Sequence, residues 1–162
     1  MELSLIIPAF NEAERIVGTL RSAIAFLDTR PWSYEIIVVD DGSTDGTALS
    51  VSDFASRHSN VRLISVPHRG KGWAVKHGML DAAGAFRFLC DADLSMPIEQ
   101  VERFLPPQLD GVDIAIGSRE APDARRIGEP AQRHDFQPGY ECDLRVLVHL
   151  ERPGSFQLAA HF

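Results

Sequence analysis

The most informative stretch of the sequence is Ala85-Phe-Arg-Phe-Leu-Cys-Asp-Ala-Asp-Leu-Ser-Met-Pro97. A short apolar run ends there in two aspartates, and the proline that follows suits a helix start. Asp91 and Asp93 stand one residue apart at the exit of the predicted strand, where their carboxylates can share one divalent cation. Such hard oxygen ligands suit Mg²⁺ or Mn²⁺, with substrate phosphates completing the shell. The alternative for this motif alone is an Asp-rich turn that caps the next helix.

The same arrangement recurs along the chain. Four β-rich runs are each followed by polar or glycine-rich residues and then by a helical pattern: Leu3 to Ile7, Glu35 to Val39, Val61 to Val66 and Ala85 to Cys90. This alternation predicts an α/β protein with a mostly parallel sheet flanked by helices. A fifth strand is predicted from Val112 to Ile116. We expect the C-terminal ends of the strands to open onto one crevice, where open α/β sheets bind ligands.

Helices are predicted between these strands. Asn11 is the expected N-cap of the first helix, with Glu14 three residues later. Further helices are expected from Thr44 towards Arg57, over about Gly72 to Ala83, and from near Pro97.

Two other predicted strand ends carry candidate ligands. Asp40 and Asp41 close the second strand, where a carboxylate can accept hydrogen bonds from a base N–H or a ribose hydroxyl; an Asp-Gly turn with a helix cap explains the same residues. The loop Pro67-His-Arg-Gly-Lys-Gly-Trp73 places Arg69, Lys71 and backbone N–H groups where an anion would sit, or forms a solvated turn. Basic groups beside a metal site together indicate a diphosphate.

For three further residues the sequence leaves alternative roles open. Glu12, after the first strand, either points into the crevice or interacts with the dipole of the first helix. Arg119, after the fifth strand, pairs either with a phosphate or with a surface acid. His68 is expected to be structural or solvated.

Composition narrows the classes of function. The 162 residues carry a formal net charge of −7, which argues against nucleic acid as a partner. Cys90 and Cys142 show neither zinc-ligand spacing nor a disulfide framework, so a reducing, cytoplasmic location is expected. No apolar stretch approaches the roughly 20 residues that span a bilayer, so any membrane contact is expected to be peripheral.

The pattern changes near residue 128. Residues 1–128 are predicted to form one ligand-binding domain, and residues 129–162 a divergent or poorly ordered tail in which only Leu144 to Leu150 is a brief apolar stretch. We therefore expect the sheet to be incomplete towards the C-terminus.

Five motifs, taken in order, carry a family resemblance: IIPAFNE, VVDDGSTDGT, HRGKGWAVKHGML, FLCDADLSMP and IAIGSR. Together they resemble the nucleotide-sugar-binding half of family 2 glycosyltransferases, which have the Rossmann-like GT-A fold. The likeness covers roughly residues 3 to 128 and is greatest to the dolichyl- or polyprenyl-phosphate glucosyltransferases and mannosyltransferases, with the glucosyl branch favoured.

The resemblance implies a role for each matching residue. Asp41 would read the uracil or guanine base with support from Asp40, and Asp93 would bind the metal, with Asp91 near both ribose and metal. The other implied donor-binding residues are Pro8, Phe10 and Glu12 around base and ribose, and Arg69 and Lys71 close to the nucleotide. Asp93 and Arg119 are the implied catalytic residues, Arg119 lying near the diphosphate or the acceptor phosphate.

The implied reaction is inverting transfer of a hexose, with glucose favoured, from a nucleoside diphosphate sugar such as UDP-glucose to a polyprenyl or dolichyl phosphate. It would use Mg²⁺ or Mn²⁺, and a lipid acceptor implies contact with the cytoplasmic face of a membrane. One alternative is a catalytically inactive, truncated nucleotide-binding fragment. A lesser alternative is a nucleotidyltransferase, although that class ordinarily carries a glycine-rich basic loop where Pro8-Ala-Phe-Asn-Glu12 stands.

Overall fold

Strands and helices alternate through most of the chain in the computed structural model, which describes residues 1–108, 113–117 and 145–149. The elements are β1 (Leu3–Ala9), α1 (Ile16–Leu27), β2 (Tyr34–Asp40), α2 (Thr47–Ala55), β3 (Val61–Ser65), α3 (Lys71–Asp81), β4 (Phe86–Leu89), a 3₁₀ helix (Ile98–Phe104), β5 (Ile114–Gly117) and β6 (Arg145–His149).

The six strands form one sheet in the order β3-β2-β1-β4-β6-β5. β1 pairs in parallel with both β2 and β4, and β2 pairs in parallel with β3. β6 is antiparallel to both β4 and β5. The predicted α/β class with a mostly parallel sheet is therefore confirmed, and β6 lies in the region that the sequence indicated only as a brief apolar stretch.

Helices cover both faces of the central strands, which explains their continuous apolar runs. Leu5 and Ile7 of β1 pack in the cluster that includes residues of α1, α2 and the 3₁₀ helix. Ile6, between them, packs in a second cluster with Ala74 and Met79 of α3. Each fully buried aliphatic side chain contributes about 1.5–3 kcal/mol relative to an exposed one, so the four parallel strands form a rigid support.

The starts of two predicted helices differ from expectation. Asn11 does not cap α1: it adopts a left-handed backbone conformation with φ of 56°, and its Oδ1 accepts the Thr44 N–H at 2.9 Å. Asparagine tolerates this conformation because its short side chain can hydrogen-bond locally. α1 instead begins at Ile16, after Arg15, without a side-chain cap. The helix predicted from Pro97 is a 3₁₀ helix.

The strand order creates a crevice. From β1 the chain proceeds to β2 and β3 on one side, and β4 then pairs with the opposite edge of β1. Parallel sheets bind ligands outside the carboxyl ends of strands where the order reverses in this way. Within the part of the chain that the structure describes, no helix combines the length and apolarity required to cross a bilayer.

Candidate functional site

A pocket of about 410 Å³ lies at this reversal point, at the carboxyl ends of β1 to β4. Its walls come from the segments that follow the four strands: Pro8, Ala9, Phe10 and Glu12 after β1, Asp41 after β2, His68, Gly70, Lys71 and Ala74 after β3, and Asp91, Ala92, Asp93 and Ser95 after β4. The structure thus brings together seven of the residues predicted from the sequence, namely Pro8, Phe10, Glu12, Asp41, Lys71, Asp91 and Asp93.

The two aspartates after β4 line the pocket in different surroundings. Asp91 is partly buried, and its Oδ1 accepts a hydrogen bond from Lys71 Nζ at 2.7 Å. Asp93 is exposed, and its Oδ1 accepts the Ser95 N–H at 2.8 Å. The turn predicted as the alternative is therefore present, but a carboxylate has two oxygens and about four acceptor positions. Asp93 can close this turn and still offer oxygen to a ligand in the pocket.

The donor set suits a hard divalent cation. Asp91 and Asp93 supply carboxylate oxygens on one wall, and among the described residues no cluster of three or more His, Cys, Asp or Glu side chains forms a complete metal cage. Mg²⁺ is commonly held by one or two carboxylates together with substrate phosphates and water rather than by an all-protein cage. Lys71 reaches the same wall and places a positive charge where such phosphates would lie.

Asp41 anchors the loop that leads into α3. The residue is 2% exposed, and its two carboxylate oxygens accept the N–H groups of Arg69 at 2.9 Å and Gly70 at 2.8 Å. His68 Nδ1 lies 2.8 Å from Oδ2 of the same carboxylate. Burial by itself raises the pKa of Asp41, but the two backbone hydrogen bonds and the His68 imidazole together hold it below its usual value.

This anchoring leaves room for a further contact. Two backbone N–H groups donate to the Asp41 carboxylate, and His68 Nδ1 lies between its Oδ2 and the Asp41 main-chain carbonyl, 3.0 Å away. Because a carboxylate has about four acceptor positions, it can accept one more N–H from the pocket. The close approach of the two loops also depends on Gly42, which has a φ of +70° and whose hypothetical Cβ would lie 2.9 Å from the His68 backbone nitrogen. A side chain at position 42 would push this loop away from Asp41.

Phe10 and His68 form an aromatic pair at the pocket. Their ring centroids are 4.2 Å apart with an interplanar angle of 19°, and Phe10 remains 44% exposed. Sequence reasoning assigned His68 no part in the site. The pairing joins residues 58 positions apart, so the available signal was only that His68 precedes the basic Arg-Gly-Lys segment.

The loop after β2 shapes the loop after β1. The N–H of Glu12 donates to Thr47 Oγ1 at 2.8 Å, and that of Asn11 donates to Ser43 Oγ at 2.9 Å. Glu12 lines the pocket, with Oε2 2.8 Å from Arg15 Nε. The hydroxyl residues of the Asp-Gly-Ser-Thr-Asp-Gly-Thr47 motif thus hold Glu12 at the wall of the pocket.

Three predicted site residues are not placed at the pocket. Asp40 is 3% exposed, and its carboxylate accepts the Ser43 N–H, which closes a turn. The guanidinium carbon of Arg69 lies 4.7 Å from the centre of the Trp73 ring, and Arg69 is absent from the pocket wall. Arg119 lies outside the described residues.

Comparison with known proteins decides the family. The family model for Glycosyl transferase family 2 matches residues 4–150. This chain belongs to that family. A dolichyl-phosphate beta-glucosyltransferase of Drosophila melanogaster is 37% identical over 133 residues, covering 74% of this chain and 41% of the relative. The human protein of the same name is 32% identical over 150 residues, covering 84% of this chain and 45% of the relative. This family 2 chain therefore spans less than half the length of these curated relatives.

Solved structures support the GT-A fold of this family 2 glycosyltransferase chain. A mannosyltransferase from Pyrobaculum calidifontis, solved with GDP-Man and Mn²⁺, has a TM-score of 0.50 and 30% identity over 57% of this chain and 27% of its own. Glucosyl-3-phosphoglycerate synthase from Mycobacterium tuberculosis, solved with UDP, has a TM-score of 0.54 and 27% identity over 70% of this chain and 42% of its own. The family resemblance expected from the five motifs is confirmed, and membership decides against a nucleotidyltransferase.

Proposed function

We propose that this chain binds UDP-glucose with Mg²⁺ or Mn²⁺ and takes part in inverting transfer of glucose to a dolichyl or polyprenyl phosphate. The observation that carries the proposal is that one pocket brings Asp91 and Asp93 together with Lys71 and the loop anchored by Asp41. The pocket combines carboxylates for a cation, positive charge for a diphosphate, and an aromatic pair with a free acceptor position for a base.

The base and ribose occupy the part of the pocket between β1 and β2 in this proposal. Phe10 offers a half-exposed aromatic face, and base-aromatic stacking contributes about 1–3 kcal/mol per base. The remaining acceptor position of Asp41 receives an imide N–H such as that of uracil. Glu12, held by Thr47, accepts from a ribose hydroxyl.

The diphosphate lies between α3 and the segment after β4. Lys71 is the first residue of α3, so both its side chain and the positive end of the helix dipole face an anion there. Asp91 and Asp93 would hold the divalent cation, which supplies Lewis-acid stabilisation of the leaving diphosphate. Lys71, which donates to Asp91 in this structure, would donate to a phosphate oxygen in the donor complex.

The chemical step needs no protein base. An oxygen of the acceptor phosphate attacks the anomeric carbon of glucose from the face opposite the nucleotide. The new carbon–oxygen bond forms as the bond between the anomeric carbon and the β-phosphate oxygen breaks, and UDP leaves with that oxygen and the electron pair. A phosphate monoester is largely ionised near neutral pH, because its second pKa is about 6. Lys71 and the start of α3 stabilise the charge that grows on UDP, which favours the transition state over the ground state.

Isothermal titration calorimetry tests the donor site. Wild-type protein should bind UDP in the presence of Mn²⁺, and Asp93→Asn, which removes a cation ligand at nearly constant size, should bind at least about tenfold more weakly. Asp53→Asn is the matched control, because Asp53 is exposed on α2 and the same charge is lost. Equal UDP affinity in the wild type and Asp93→Asn would refute the assigned cation site, and tighter binding of GDP than of UDP would refute the assigned base.

A transfer assay tests the reaction itself. Radiolabelled UDP-glucose is incubated with the chain, Mn²⁺ and vesicles containing a polyprenyl phosphate, and label in the lipid fraction is measured. We expect glucosyl lipid to form, and to form faster than mannosyl lipid from GDP-mannose. Retention of UDP binding without any lipid labelling would refute the proposed transfer while leaving the donor site intact.

A further inference from the structure

Thr19 of α1 reaches across the core to the segment that carries the two candidate metal ligands. Its Oγ1 donates a hydrogen bond to the main-chain carbonyl of Ala92 at 2.5 Å, between residues 73 positions apart in sequence. Both residues are buried, Thr19 at 5% and Ala92 at 6% exposure. The contact therefore joins α1, inside the core, to the segment that forms one wall of the pocket.

Thr19 places a hydroxyl group on the buried, apolar face of α1. Thr19 lies within a helix beside the buried residues Ile16, Leu20 and Ala23, where a hydroxyl is costly to bury without a partner. In a helix such a hydroxyl commonly bonds back to the carbonyl of the preceding turn. Here it donates instead to the loop after β4.

The bonded carbonyl has a direct mechanical link to the metal ligands. The Ala92 carbonyl belongs to the planar peptide unit that joins Ala92 to Asp93, so fixing this oxygen fixes the orientation in which the Asp93 backbone leaves the unit. On the other side, the Cys90 N–H donates to the Ile6 carbonyl of β1 at 2.9 Å. Asp91 and Asp93 thus lie on a segment anchored to β1 before Asp91 and to α1 between the two aspartates.

We propose that Thr19 is a positioning residue that presets the separation and direction of the Asp91 and Asp93 carboxylates for cation binding. The inference rests on the proposed function, in which these carboxylates hold the cation. Removing a residue that orients a metal ligand without touching the metal typically lowers metal affinity by about 10–100-fold. Thr19 touches neither the pocket nor a ligand in it, so it acts only through the Ala92 carbonyl.

The test compares the wild-type chain with Thr19→Val and Thr19→Ser. Valine keeps the shape and removes the donor, whereas serine keeps the donor. We expect the Mn²⁺ affinity of the UDP-bound protein to fall about 10–100-fold in Thr19→Val and to stay within about threefold of the wild type in Thr19→Ser. Thr19→Ala, which also lacks the donor and fits any site that held threonine, replaces the valine variant if that variant does not fold.

Amide hydrogen exchange without ligand gives a second readout that does not depend on donor binding. Exchange at residues 91–95 should accelerate in Thr19→Val but not in Thr19→Ser, while exchange in β2 stays at the wild-type rate. Unchanged exchange at residues 91–95, equal behaviour of the serine and valine variants, or acceleration across the whole sheet would each overturn the proposal. Failure of the wild type to bind UDP and Mn²⁺ would instead refute the proposed function, and the exchange data would still decide whether Thr19 orders the segment.

Discussion

Replacing Asp41 by alanine should lower the free energy of unfolding by about 3 kcal/mol at pH 7. The carboxylate accepts the N–H groups of Arg69 and Gly70, and hydrogen bonds to charged groups contribute about 1.5–3 kcal/mol each. Both donors lie on a loop near solvent, so the lower figure of about 1.5 kcal/mol applies to each. The contact with His68 adds little, because that side chain is 56% exposed.

The cost of this substitution should depend on pH with a definite sign. Burial by itself raises the pKa of Asp41, but the hydrogen bonds from Arg69 and Gly70 and the nearby His68 leave the pKa below its usual value in the folded protein. A group whose folded pKa is depressed stabilises the fold above its unfolded pKa, which is about 3.9 for aspartate. The stabilisation is lost as pH falls through the folded pKa, so the difference between wild type and variant should shrink below about pH 4.

Urea unfolding followed by circular dichroism measures both effects. Wild type, Asp41→Ala and the exposed control Asp53→Ala are compared at pH 7 and at steps down to pH 3, and the control should stay within about 0.5 kcal/mol of the wild type. An Asp41→Ala loss below about 1 kcal/mol at pH 7, or a loss that persists unchanged to pH 3, would refute the role of Asp41 as the anchor of the loop before α3.

Two further substitutions test packing and ligand contact. Gly78→Ala should lower the free energy of unfolding by about 1–3 kcal/mol, because its Cβ would lie 2.4 Å from Ile6 Cγ2; Gly72→Ala, on the same helix with no atom within 4 Å, should leave it unchanged or raise it by up to about 1 kcal/mol. Equal thermal melting shifts in the two variants would contradict this. Phe10→Ala should weaken UDP binding about fivefold or more while Leu49→Ala, exposed on α2, does not, as calorimetry would show; equal affinities would rule out base stacking on Phe10.

The parallel strands were predictable because burial on both faces leaves a direct mark in the sequence. Leu3 to Ile7 and Glu35 to Val39 are almost entirely apolar runs, and they correspond to β1 and β2. β6 was not predicted, since its place between β4 and β5 depends on pairing with strands that lie 28 or more residues earlier in the chain. A five-residue strand carries too little local pattern to indicate such long-range pairing.

Helix starts were harder to predict because tertiary contacts override capping rules. The spacing of Asn11 and Glu14 has the form of a capping motif, yet Asn11 instead bonds to the loop after β2. The second helix begins at Thr47 rather than Thr44, because the intervening residues form the turn that holds the segment after β1. In both cases the sequence has the local pattern of a helix start, but the side chains form hydrogen bonds with residues more than 30 positions away.

Part of the candidate site was predictable because the carboxyl ends of parallel strands meet at one edge of a sheet. That rule alone brings Asp41, Lys71, Asp91 and Asp93 to one pocket. The rule does not determine which way each side chain points. Arg69 follows β3 like Lys71, but its side chain lies over the Trp73 ring and not at the pocket wall. His68 was missed for the opposite reason, because its part in the pocket arises from contact with Phe10 and Asp41 rather than from any local motif.

Anomalous diffraction from a crystal containing UDP and Mn²⁺ is the sharpest test of the cation site, because it locates the cation without reference to activity. We predict one strong manganese peak beside the Asp93 carboxylate, at coordination distance from an oxygen of Asp93 alone or of both Asp93 and Asp91, with the diphosphate of UDP next to it. A manganese peak elsewhere in the molecule, or UDP bound in the pocket with Lys71 still on Asp91 and no manganese beside Asp93, would contradict it.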